Sequence, residues 1–179
     1  MTKSDESVTS KGASVMIIVC TKDGAVVNWT NNNQSGANLW GNAFAINPMA
    51  NQDQATQMLC NALAFLGLNE PLCLTAHGND IEMGDPGNGP YDWTWNVNLI
   101  AGCLAVSVPA GYTGPILIRI CANQITNFSA RLAVSLQNGQ ALNGVWIYGY
   151  NRAVPMQQAF PNPANLANQV DLQGTQVVY

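Results

Sequence analysis

Residues 14–20 read SVMIIVC, an unbroken apolar and β-branched run. A run without polar alternation suits a strand covered on both faces of a sheet. Three later stretches share this character: PLCLTA over 71–76, PILIRIC over 115–121 and VWIYGY over 145–150. Two segments between them have helical spacing instead. In DQATQMLCNALAFLGL, over 53–68, Met58, Leu59, Ala62, Leu63, Phe65 and Leu66 repeat at helical intervals. Asn51 or Asp53 can cap its start and Gly67 its end. In NFSARLAVSLQ, over 127–137, Phe128, Leu132, Ala133 and Leu136 share one face. Asn127 is the cap and Asn138-Gly139 the stop. Asp23-Gly24 reads as a turn, with 25–29 returning as a short strand. Segments 31–47 and 79–92 are rich in Asn and Gly and read as loops, and 99–106 fits a helix or a strand equally.

Apolar strands alternating with amphipathic helices predict an α/β fold, a Rossmann-like, mainly parallel sheet flanked by helices. Sheets of this kind carry functional residues at the carboxyl ends of their strands. The expected organisation is a flexible segment over 1–12, one α/β domain over 13–154, and a loosely packed Pro/Asn-rich tail over 155–179.

Composition narrows the partners. Only 9% of the 179 residues are charged, while 47% are hydrophobic, which argues against a disordered chain. Amides replace the charges, with 22 Asn and 12 Gln. The net charge of −4 and the isoelectric point near 4.6 leave no basic patch for phosphates, so no nucleic-acid partner is expected. No apolar run reaches transmembrane length, so no membrane partner is expected either. The start of the chain lacks the apolar stretch of a signal peptide, which implies synthesis and residence in the cytoplasm unless a dedicated machine exports it. The five cysteines, an odd number, read as free thiols in a reducing compartment. No zinc spacing, Walker motif, GxSxG, HExxH or EF-hand is present, and no cofactor is expected.

The candidate chemistry gathers at two strand ends. His77, the single histidine, follows LCLTA and precedes Gly78; Cys121 ends ILIRI, 44 residues later. If the two strands are parallel neighbours, about 4.8 Å apart, imidazole and thiol reach one substrate carbonyl. A thiolate is the attacking species, and histidine can take the thiol proton and return it to the leaving amine. The N–H groups of Gly78 and Cys121 could form an oxyanion hole. Cys20, which also ends a strand, is an alternative nucleophile; Cys60 and Cys73 read as core. Asp80, Glu82 and Asp85 in the loop after His77 could select a basic substrate residue, orient His77, or, with Asp92, hold a divalent ion. Arg119, two residues before Cys121, could pair with a carboxylate or lower the thiol pKa. Trp93 and Trp95 could line a cleft or anchor the loop.

Hydrophobic strand plus His-Gly, then hydrophobic strand plus Cys, resembles the caspase-like cysteine peptidases, the group that includes caspases, metacaspases, legumains and gingipains. LCLTAHG is similar to their histidine element and ILIRICA to their cysteine element, and NFSARLAVSL followed by GVWIYGY resembles the helix and strand that come next. The resemblance spans roughly 14–154. The residues after the cysteine, Ala122-Asn123-Gln124, depart from the Gly or acidic residue frequent there. It implies peptide-bond hydrolysis without a cofactor, with His77 as acid–base group, Cys121 as nucleophile and Gly78 as oxyanion donor. The implied partner is a peptide or protein substrate, and a homo-oligomer is compatible. A non-catalytic protein-interaction module on the same fold remains the alternative.

Overall fold

The computed structural model describes residues 16–33, 40, 43–87, 89, 92–123 and 126–179. The segment expected to be flexible, 1–12, lies outside them. Along the chain run β1 (Met16–Val19), α1 (Gly24–Asn33), β2 (Ala43–Ala45), α2 (Gln52–Leu63), β3 (Leu72–Thr75), β4 (His77–Gly78), β5 (Glu82–Gly84), β6 (Thr94–Asn96), α3 (Val97–Ser107), β7 (Ile116–Arg119), α4 (Phe128–Asn138), β8 (Trp146–Tyr150), a 3-10 helix (Pro163–Asn168) and β9 (Leu172–Gln176).

Six strands form one sheet in the order β2-β1-β3-β7-β8-β9. All neighbours pair in parallel except β8 and β9, which are antiparallel. The α/β class with a mainly parallel sheet between helices is thus as the hydrophobic pattern predicts. Alternate side chains on each strand serve opposite faces. Ile18, Leu72, Leu74, Ile116, Ile118 and Ile147 pack in one cluster with Leu59 and Leu63 of α2, Ile100 and Leu104 of α3, and Leu132 and Leu136 of α4. Ile17, Cys73, Leu117, Tyr148 and Tyr150 face the other way, against Trp40, Phe160 and Leu166, with the partly buried Trp29 of α1 beside them. Burial on both faces is why these strands read as continuous apolar runs.

Four expectations change. The stretch 25–29 is helix, within α1, because the Asp23 carboxylate accepts the Ala25 N–H at 2.8 Å and starts a turn there. Its valines suggested a strand, and the cap overrides them. The segment 31–47 contains the edge strand β2. The segment 79–92 contains β5, which with β4 and β6 makes a small antiparallel sheet. Segment 155–179 is packed rather than loose. It buries Phe160 and Leu166 on the second face and closes the sheet with β9, and Val177 is fully buried in the first cluster.

No helix among the described residues is long and apolar enough to cross a membrane.

Candidate functional site

The site is set by strand register. β3 and β7 pair in parallel with a constant offset of 44 residues, from Leu72 opposite Ile116 to Thr75 opposite Arg119. His77 and Cys121 are separated by the same 44 residues, and each lies two positions beyond the paired segment. The last bond of that ladder runs from the Ala76 N–H to the Arg119 carbonyl at 3.4 Å. Side chains from both strand ends line one pocket of about 230 Å³, which includes His77, Gly78, Glu82, Asp85, Thr94 and Cys121. The two residues singled out in sequence are therefore brought together.

Gly78 shows why a glycine follows the histidine. A Cβ there would lie 2.7 Å from the Glu82 carbonyl oxygen and 2.9 Å from Ile120 Cδ1. Both distances are shorter than a side chain tolerates, so β4 lies directly on the residue preceding Cys121. The Asn79 N–H donates to the Glu82 carbonyl at 3.0 Å, while Gly78 pairs with Met83 one step on. Antiparallel pairs alternate between bonded and non-bonded, which directs the Gly78 N–H away from β5.

His77 has a partner that sequence reading did not single out. Its Nε2 lies 2.7 Å from Asp23 Oδ2, and both side chains are about one-third exposed. The His77 hydrogen bond is the main reason the Asp23 carboxyl sits below the usual carboxylate range; the Ala25 N–H adds to it. An ionised carboxylate only accepts, so Nε2 carries the proton and Nδ1 of the neutral ring is the basic nitrogen. Asp23 lies 54 residues before His77, at a turn signal. Its position beyond the carboxyl end of β1, a strand that neighbours β3, is the trace the sequence did hold.

The three acids weighed as substrate-binding residues have different surroundings. Asp85 is committed to structure. Its Oδ1 accepts from Thr21 Oγ1 at 2.8 Å and the Lys22 N–H at 2.6 Å, and its Oδ2 accepts the Trp93 N–H at 2.8 Å. It thereby clamps the loop that carries Asp23. Asp80 does not line the pocket; its Oδ1 accepts the Asn123 N–H at 2.9 Å and ties the histidine hairpin to the loop after Cys121. Glu82 lines the pocket half-buried and accepts from Asn79 Nδ2 at 3.2 Å. The partner of His77 is Asp23 rather than any of these three.

Burial sorts the thiols. Desolvation pushes Cys73 and Cys103 up to about 12 and Cys20 further still. Cys20, the alternative nucleophile, is fully buried. Cys60 and Cys121 are the two half-exposed thiols. Cys121 Sγ lies 3.6 Å from the Val154 carbonyl and accepts the Val154 N–H at 3.4 Å.

Arg119 is buried, and among the described residues it has no carboxylate in ion-pair range. Its charge is met by the carbonyls of Met156 (3.1 Å) and Gln158 (2.7 Å), by Thr75 Oγ1 (3.3 Å), and by the Phe160 ring 4.4 Å away. Carbonyl dipoles and an aromatic face replace the expected ion pair. Trp93 and Trp95 are wholly buried and pack together, so they anchor the hairpin rather than line a cleft. Among the described residues no three His, Cys, Asp or Glu side chains gather as a metal site requires.

No family model, curated protein or solved structure matches this chain.

Proposed function

We propose that this chain is a cysteine peptidase of caspase-like arrangement. The single observation that supports the reading is that His77 and Cys121, each two residues beyond the paired strands β3 and β7, line one pocket. His77 Nδ1 takes the Cys121 proton, and the thiolate attacks the scissile carbonyl carbon. The oxyanion that forms is met by the Gly78 N–H. The imidazolium, stabilised by Asp23, returns the proton to the leaving amine, and the acyl-thioester left on Cys121 is hydrolysed by water that His77 deprotonates. Within the pocket Glu82 is the carboxylate available to a basic side chain of the substrate, since Asp85 is engaged by three donors.

The test is cleavage of a peptide library. Cys121→Ala and His77→Ala should each abolish cleavage while the near-ultraviolet spectrum stays that of the parent. Full activity in both variants would remove the dyad.

The other reading, a non-catalytic interaction module, is favoured by the hold of the Val154 backbone on Cys121 Sγ. It expects the parent protein to cleave nothing, and Cys121 to react with alkylating agents no differently when His77 is replaced.

A further inference from the structure

Five contacts bind the segment after β8 to the strand end that bears Cys121. The Ala122 N–H donates to the Arg152 carbonyl at 3.1 Å. Val154 meets Cys121 Sγ with both its N–H and its carbonyl. Arg119 holds the carbonyls of Met156 and Gln158. Within the segment, Arg152 reaches Gln158 Oε1 at 3.0 Å, and beyond it Asp171 Oδ2 at 2.8 Å. Val154 itself is buried. The result is a strap over 152–158, held to β7 by the buried Arg119 and braced internally and against Asp171 by its own half-exposed Arg152, with its backbone against one thiol.

The Val154 carbonyl, 3.6 Å away, accepts from the S–H, the Val154 N–H donates to the sulfur at 3.4 Å, and together they engage the sulfur that a nucleophile must free. We infer that the 152–158 strap is an autoinhibitory latch, which keeps Cys121 from electrophiles until the strap is displaced from β7. The inference rests on reading Cys121 as the nucleophile, but its consequence is a change in thiol access that needs no turnover. The pins are unequal. Arg119 makes two charged hydrogen bonds in a buried setting, whereas the Arg152 contacts are partly solvent-screened. Loosening the first should therefore release Cys121 more than loosening the second.

The test is the alkylation rate of Cys121 with limiting iodoacetamide, mapped by mass spectrometry, in the parent protein, Arg119→Met and Arg152→Ala. Cys60, half-exposed on α2, is the internal reference, and thermal unfolding checks that each variant is folded. Arg119→Met should raise the Cys121 rate about tenfold or more, and Arg152→Ala by at least about twofold, with Cys60 unchanged. If Arg119→Met does not fold, Arg152→Ala decides alone. A Cys121 rate that stays at the parent value, or falls, overturns the latch; a fall means that the Val154 N–H activates the thiol. A rise matched by Cys60 also overturns it, because that reports general loosening. Faster labelling without peptide cleavage keeps the latch and removes the peptidase reading, so the two can fail separately.

Discussion

At the scale of single residues, Asp23 matters most among those the sequence did not mark. Its carboxylate fixes His77 through Nε2 and leaves Nδ1 as the base. Asp23→Ala should lower kcat by about tenfold to a hundredfold with little change in KM, and Asp23→Glu should recover part of the loss. A merely structural role would lower expression or the unfolding temperature instead. The same pair has a pH signature. The folded-state pKa of Asp23 is depressed, so its contribution to stability is complete above the ordinary carboxylate value and is lost as pH falls through the depressed one. The gap in unfolding temperature between parent and Asp23→Ala should hold steady above about pH 5 and close on acidification below about pH 4. A gap that is flat down to about pH 2 would mean that Asp23 gains nothing from His77.

At the scale of elements, helix caps decide how the strand ends are held. Asn127 starts α4 just after the Cys121 loop. Its Oδ1 accepts from the Ala130 N–H and Ser129 Oγ, and its Nδ2 donates to the Tyr150 carbonyl at 2.9 Å. Asn127→Ala removes the cap and strands a buried carbonyl, so it should cost about 2–3 kcal/mol in chemical denaturation. A cost below about 0.5 kcal/mol would mean that water replaces the amide. This cap was readable in sequence, as were β1, β3, β7, β8, α2 and α4, because each buries an apolar run or stripe. The elements that were misread are those where short-range chemistry opposes composition. Val26 and Val27 favour a strand, yet Asp23 begins a helix; Gly84, at φ +150° and against the Trp93 carbonyl, sits in a glycine-rich stretch but is paired strand.

At the scale of the whole molecule, the sheet is completed by residues that look like a tail. Pro155, Pro161 and Pro163 with the surrounding amides suggest a loose end, but β9 pairs with β8 over five residues and Val177 enters the core. A register between distant strands leaves no local pattern, which is why β9 was hidden. Truncation after Val170 should abolish the cooperative thermal transition: it removes the β9 ladder and the burial of Val177, worth about 2 kcal/mol on its own, from a fold of ordinary marginal stability. A truncated chain that still melts sharply near the parent temperature would show β9 to be dispensable. The candidate site was legible for a related reason. His77 and Cys121 lie at the ends of the two clearest strands, and their separation equals the β3–β7 offset. Asp23 was not legible, because its link to His77 depends on how β1 and its following loop sit beside β3.

The most direct test of the His77–Cys121 pairing is the alkylation rate of Cys121 in native parent protein and in His77→Ala, at about pH 6, with Cys60 as reference. Opening of the 152–158 strap is common to both proteins and cancels in the ratio. The Cys121 rate should fall by about tenfold or more on loss of His77, with Cys60 unaffected. Equal Cys121 rates in the two proteins would contradict the pairing and leave Cys121 an ordinary half-buried thiol.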